Sequence, residues 1–223
     1  MTSAELWDGW YAEHGRRVAS TRHWRSEQIF LDSGRADADA AIRRFDLPTT
    51  GHCHEVGAGL GRMTSRLVEI YPSVSVNDVS IEALRTLMER LPAVDAKLGG
   101  AEALDAMPSK SCSSIISVAV MQHVSDCQEV IEYIASVSRI LASGGRAAIQ
   151  VAAESQRRRA HDTVIDLTRN AARIVGAQAL PSGNAWRGCR PTDALMARTA
   201  ATSGSSLSVV HDGLWDWVLI QRS

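Results

Sequence analysis

Three groups of residues in this chain have types and spacings suited to chemistry. The first is HCHEVGAGLG, residues 52 to 61, where Gly57, Gly59 and Gly61 alternate with Ala58 and Leu60 directly after Glu55-Val56. Glycines so placed let the backbone turn sharply and let a ligand approach the main chain, while a helix starting just beyond offers unpaired N–H groups. The second is Asp78, the last residue of SVSVND, 19 positions after Gly59. A carboxylate there meets the two hydroxyls of a ribose in many nucleoside-binding sheets. The third is His123, just past a fourth strand candidate, where an imidazole that titrates near neutrality suits proton removal from an acceptor.

The glycine turn is not the dinucleotide fingerprint G-x-G-x-x-G, because that register needs glycine at 62 and the residue is Arg62. His52 and His54 stand where an apolar strand is expected. In a strand they share one face and Cys53 points to the other, so we expect both to be neutral, hydrogen-bonded and structural, with no metal between them. No metal site is expected elsewhere either, since Asp126 stands alone near residues 121 to 127. Cys53, Cys112, Cys127 and Cys189 lack C-x-x-C spacing, and their expected state is four reduced thiols.

The elements that must hold these residues read as an alternating α/β body. Two helices are expected upstream of residue 50, at about 3 to 31 and 33 to 46. From there on, strand candidates precede Glu55 and cover 73 to 78, 94 to 98, 114 to 120 and 146 to 153. Helical stretches lie between them at 62 to 71, from Ser80 as N-cap through Leu91, and at 127 to 142, with a loop after the third strand. Such alternation builds a parallel sheet covered on both faces. A helix over 155 to 175, an irregular stretch at 176 to 191 and a short helix from Thr192 follow. SLSVVH and LWDWVLIQ then flank Asp212-Gly213, a hairpin turn signal.

A chain of 223 residues favours one domain. Its formal net charge of -1 gives no overall pull toward nucleic acid or anionic lipid, and Arg157, Arg158 and Arg159 read as a solvated helix face. The N-terminal stretch lacks the apolar core of a secretory signal, and no apolar run is long enough to span a bilayer, so the expected location is the cytoplasm.

The motifs EVGAGLG at 55 to 61, NDVS at 77 to 80, AVMQHVSD at 119 to 126 and RILASGG at 139 to 145, in that order, resemble class I S-adenosylmethionine-dependent methyltransferases over about residues 50 to 152. The resemblance implies a Rossmann-like, mostly parallel seven-stranded sheet with helices on both faces and a C-terminal antiparallel hairpin strand. It implies S-adenosyl-L-methionine as cofactor, with Glu55, Gly57, Ala58, Gly59 and Gly61 around its methionine end, Asp78 on its ribose and Val79 on its adenine. Ala101, Glu102 and Val120 complete the expected cofactor set. One position departs from the pattern. Where relatives often place an acid for the adenine amino group, this chain has Gly100, with the Ala101 N–H and Glu102 as the nearest substitutes.

For the acceptor side, Trp7, Trp10, Tyr11 and His14 recur at helical spacing. Packing of the first helix accounts for that spacing, and Trp10, Tyr11 and His14 are also expected to reach substrate if residues 1 to 47 form a helical cap over a domain of residues 48 to 223. The 176 to 191 loop is a lid candidate, in which Trp186 and Arg187, or Arg190, meet the acceptor. The expected activity is methyl transfer to oxygen or nitrogen of a small molecule, such as a secondary metabolite or sugar, by a monomer or homodimer. A protein or RNA methyltransferase and a non-catalytic cofactor-binding subunit are the alternatives.

Overall fold

In the computed structural model the described residues are 3–14, 26–153, 188–213 and 215–223. The helix expected at 155 to 175, with Arg157 to Arg159, lies outside them, as do Trp186 and Arg187. Seven strands form one sheet in the order β3-β2-β1-β4-β5-β7-β6. They are β1 (His52–Val56), β2 (Ser73–Asp78), β3 (Asp95–Leu98), β4 (Cys112–Ser117), β5 (Leu141–Ala152), β6 (Ser205–Asp212) and β7 (Trp215–Arg222). The first five run parallel, and β7 pairs antiparallel to both β5 and β6. The seven-stranded, mostly parallel architecture expected from the sequence is therefore present.

The described helices are α1 (Ser3–His14), α2 (Glu27–Phe45), α3 (Thr64–Ile70), α4 (Ile81–Arg90), α5 (Ala101–Asp105), α6 (Cys127–Ile140) and α7 (Asp193–Ala201). On one face of the sheet, Ala38, Ala41 and Phe45 of α2, Leu67 of α3 and Leu84 and Leu87 of α4 pack on Cys53, Val76, Ile116 and Ala148. On the other, α5, α6 and α7 bring Leu104, Val130, Ile134, Val137 and Met196 onto Val56, Ile115, Ala147 and Ile149. Isoleucine and valine at alternate strand positions serve both cores, as a sheet buried on two faces requires.

Several boundaries differ from the sequence reading. One helix, α2, runs through the break expected near residue 32. Ser26 caps it by accepting from the Ile29 N–H at 3.2 Å, and Gly34 lies inside it because a Cβ there would collide with the Arg62 backbone. Residues 101 to 105 are helical where a loop was expected. The fourth strand stops at Ser117 instead of 120, since Ala119 takes a left-handed φ of 61°. The fifth begins at Leu141, which pairs with Cys112 ahead of a register shift.

The cysteine expectation fails for one pair. Cys127 and Cys189 form a disulfide with their Cα atoms 5.0 Å apart, whereas Cys53 and Cys112 are free and buried. Sequence spacing does not reveal this pairing because 62 residues separate the partners.

His52 and His54 form a polar ladder on one face of β1. The Asn77 Nδ2 donates to the carbonyls of Gly99 and Gly100 at 2.9 and 3.2 Å, so its Oδ1 accepts from His54 Nε2 at 3.0 Å. The remaining directions follow from the donor inventory. Ser75 donates to His54 Nδ1 at 2.7 Å and accepts from His52 Nε2 at 2.7 Å, and Ser73 donates to His52 Nδ1 at 2.8 Å. Both imidazoles are neutral Nε2–H tautomers in this arrangement. Burial lowers the His54 pKa to about 4 and also lowers that of His52.

Candidate active site

The sheet sends three loops to the carboxyl ends of its central strands, where ligands bind in open α/β sheets. The loop after β1 is the glycine turn. Gly57, Gly59 and Gly61 have φ of 71°, 53° and 78°, a region costly for residues with a Cβ. Gly57 and Ala58 donate their N–H groups to the Asn77 carbonyl at 2.8 and 3.1 Å, which binds the turn to the end of β2. A Cβ on Gly59 would lie 3.0 Å from the Tyr11 hydroxyl, so glycine keeps the cleft open at this point. Gly61 turns away from the cleft toward Leu87.

Asp78, at the end of β2, accepts from the Gly59 N–H at 2.7 Å through one oxygen and from the Ser80 N–H at 2.9 Å through the other. Each oxygen retains a lone pair for a further donor. Burial pushes its pKa up, offset by the backbone donors from Ser80 and Gly59. Glu55 is 5% exposed and accepts from Thr64 Oγ1 at 2.6 Å. Burial raises its carboxyl to about 7, against the lowering effect of Thr64 and Arg62.

Two adjoining pockets meet along Trp7, Tyr11, Gly57, Gly59, Ala119 and His123. The first, with an empty volume of about 610 Å³, continues past Asn77, Asp78, Val79 and Val120 to Glu129 and Tyr133. The second, of about 660 Å³, continues past Glu55, Ala58 and Gln122 to Phe30 and Arg62. The shared wall is where two bound molecules would touch.

His123 lies on that shared wall, on a single 3-10 turn at Met121–His123. The Gln122 Nε2 lies 3.2 Å from its Nε2, and the Trp7 ring meets the imidazole edge-on with centroids 4.9 Å apart. Its loop is held from behind. Gly188 and Cys189 donate their N–H groups to the carbonyls of Gln122 and Val124, each at 2.7 Å, and the Cys127–Cys189 disulfide fastens the same segment to the start of α6. Beyond the turn, Ala119 donates its N–H to Gln150 Oε1 at 2.9 Å.

The first helix closes the front of the cleft. Asp8 accepts from Ser80 Oγ at 2.6 Å, which docks α1 on the N-terminus of α4. Tyr11 lines both pockets, and burial with the nearby Asp78 charge raises its phenol. Trp10 packs edge-on against Trp7, centroids 5.0 Å apart, and is absent from the described pocket walls. The backbone of His14 ends α1, and its side chain lies outside the described set. Arg190, weighed for an acceptor anion, is instead turned inward, 8% exposed, with Asp193 and Asp216 at 2.8 and 3.1 Å.

Ala101 is buried at the start of α5, and Glu102 Oε1 accepts from the Gly100 N–H at 2.9 Å. Sequence reasoning did not nominate Trp7, Gln122, Glu129 or Tyr133 as site residues. The spacing of Trp7 signalled a packed helix face first and substrate contact only as the lesser reading. Glu129 and Tyr133 fall in the helical stretch expected at 127 to 142, where no motif marks them.

Residues 54–149 match the family described as "Methyltransferase domain". Those residues form a methyltransferase domain, and the fold around them is shared with S-adenosylmethionine-dependent methyltransferases. Similar folds include magnesium protoporphyrin IX methyltransferase from Synechocystis PCC 6803 with bound S-adenosylhomocysteine, at 12% identity and TM-score 0.66, covering 98% of this chain and 99% of that one. A TehB-like methyltransferase from Corynebacterium glutamicum matches at 16% identity and TM-score 0.59, over 98% and 100% of the two chains. Phosphoethanolamine N-methyltransferase 2 of Haemonchus contortus matches at 13% and 0.55, over 84% of this chain and 53% of that one. No curated protein matches the chain in sequence. Among the described residues, no helix of the methyltransferase is long and apolar enough to cross a membrane.

The cleft suits the family's cofactor, S-adenosylmethionine. Gly59 on the cleft wall allows close approach to the main chain, and the half-buried carboxylate of Asp78 beside it keeps lone pairs for a donor on such a ligand. Val79 and Val120 add apolar walls on either side.

Proposed function

We propose that this methyltransferase moves the methyl group to an oxygen or nitrogen of a small-molecule acceptor, with His123 as the general base. The observation that carries this reading is the position of His123 on the wall common to two adjoining pockets, one lined by Asp78 and Val79 and the other by Glu55 and Gln122. Bound S-adenosylmethionine supplies an electrophilic methyl on sulfur with a neutral thioether as leaving group. The chain's task is then to align the acceptor, exclude water and take a proton where the acceptor is a hydroxyl or an ammonium.

The Gln122 amide can donate to His123 Nε2 in the resting state, which leaves Nδ1 protonated; the acceptor's proton must displace that amide to reach the Nε2 lone pair, and Trp7 restricts the ring's rotation. Glu55 and the glycine turn take the methionine end, Asp78 the ribose, and Val79 the adenine. Tyr11 and Trp7, on α1, form an aromatic cap suited to a flat or apolar acceptor, with Trp10 supporting it through its contact with Trp7. His14, Trp186 and Arg187 join the acceptor contacts by their place in the sequence.

The test has two stages. Calorimetry with S-adenosylhomocysteine establishes cofactor binding, and a panel of phenols, carboxylates and amines is then assayed for formation of that product. With a turned-over acceptor, His123→Ala should lower kcat about 100-fold or more with unchanged cofactor affinity. Undiminished turnover removes His123 from the chemistry.

A further inference from the structure

Gly100 lacks a side chain at a point where polar atoms from two helices converge. A Cβ built there would lie 3.1 Å from Glu102 Oε2, 3.1 Å from the Tyr133 hydroxyl and 3.3 Å from Glu129 Oε1. The space that an acidic side chain at 100 would fill is thus already surrounded by two carboxylates and a phenol.

These groups differ in what else they do. Glu102 spends its other oxygen on the Gly100 N–H, a contact that fixes the turn ahead of α5. Glu129 and Tyr133, one helical turn apart on α6, line the cleft together with Asp78 and Val79, and Glu102 does not. Tyr133 is 3% exposed and lines the cleft, with its hydroxyl beside the Gly100 space, where it can donate to or accept from a bound ligand. Burial and the nearby charges of Glu102, Asp126 and Glu132 also push the Glu129 carboxyl up, so a donor at this place would relieve crowding among acids.

We propose that Glu129, with Tyr133 beside it, reads the exocyclic amino group of the cofactor's adenine and thereby replaces the acid absent at Gly100. A nucleoside whose diol is held by Asp78 and whose flat base lies along Val79 and Val120 finds this pair at the far end of the same pocket. A carboxylate accepts from an amino group and repels a carbonyl oxygen, so the pair selects a 6-amino purine over a 6-oxo purine. Glu102 has a different task, which is to hold the Gly99–Gly100 turn.

The inference rests on the cofactor reading and is tested by binding alone. Calorimetry would compare S-adenosylhomocysteine with its analogue lacking the 6-amino group, on the full chain and on Glu129→Ala, Glu129→Gln and Glu102→Gln. Thermal melts identify any variant that does not fold. Loss of a hydrogen bond to a charged group predicts that Glu129→Ala weakens S-adenosylhomocysteine about tenfold or more and leaves the deamino analogue within about twofold. Glu129→Gln, whose amide can donate, should improve affinity for the 6-oxo analogue relative to the parent. Equal weakening of both ligands by Glu129→Ala, no weakening of either, or a selective loss found in Glu102→Gln instead would overturn the proposal. Failure of the parent chain to bind S-adenosylhomocysteine at all would strike the cofactor reading itself.

Discussion

The two sides of β1 bury polar residues under opposite rules. On one, His52 and His54 run between Ser73, Ser75 and Asn77 with every ring nitrogen engaged, and the chain ends on the carbonyls of Gly99 and Gly100. On the other, Glu55 is buried with a single hydroxyl donor, from Thr64, and lines the second pocket. A saturated network holds a register and offers nothing to a ligand. A carboxylate with unused lone pairs beside a cavity retains binding capacity. Adjacent residues of one strand therefore serve architecture and chemistry, and the difference lies in what is left unpaired.

The largest effect should come from the cleft. Asp78→Ala removes the acceptor for the Gly59 and Ser80 N–H groups together with the proposed ribose contact. Its expected result is about a 100-fold loss of S-adenosylhomocysteine affinity by calorimetry. A loss under about threefold would contradict the ribose assignment. His54→Ala should do the reverse: about 2–4 kcal/mol of stability lost in urea unfolding, because Ser75 and Asn77 lose their partner inside the protein, with cofactor affinity little changed.

The same contrast can be sharpened by pH. Burial holds the His54 pKa at about 4 against an ordinary 6.5, so as pH falls between those values the unfolded chain takes up the proton first and stability declines. Glu55 has its pKa raised to about 7 from 4.5, so its contribution is complete below 4.5 and is lost as pH rises to about 7. Between about pH 4.5 and 6.5 the two slopes oppose each other. Unfolding free energies should then rise with pH in Glu55→Gln and fall with pH in His54→Asn, each by up to roughly 1.4 kcal/mol per pH unit. Equal slopes in the two variants would show that the two residues do not titrate as their surroundings dictate.

The smallest change is expected at the front of the cleft. Trp7→Phe keeps an aromatic ring against His123 but shortens its reach. A few-fold rise in KM for a turned-over acceptor, with kcat nearly unchanged, would mark Trp7 as part of the acceptor wall. A fall in kcat alone would place it with His123.

Much of the architecture was legible because local chemistry and tertiary packing agree. SVSVND became β2 over the residues that its alternation indicates, Ser80 caps α4 by accepting from the Ala83 N–H, and Asp212-Gly213 closes the hairpin. The start of α2 was misread: the sequence reading ended one helix at 31 and began the next at 33, whereas one helix runs unbroken from Glu27, capped by Ser26. The Cys127–Cys189 pair went unseen because it joins residues that only the fold brings together.

The sequence by itself determined the glycine turn, the carboxylate at the end of β2, the histidine after the fourth strand and the order of elements that carries them. Each depends on short-range spacing or on the conformations that glycine and turn residues allow. Only the tertiary structure decided that His52 and His54 saturate each other's neighbours, that Trp7 rests on His123, and that Glu129 and Tyr133 surround the space beside Gly100. Those relations join residues far apart in the chain, and their geometry arises from the packing of helices on a twisted sheet, which no local pattern specifies.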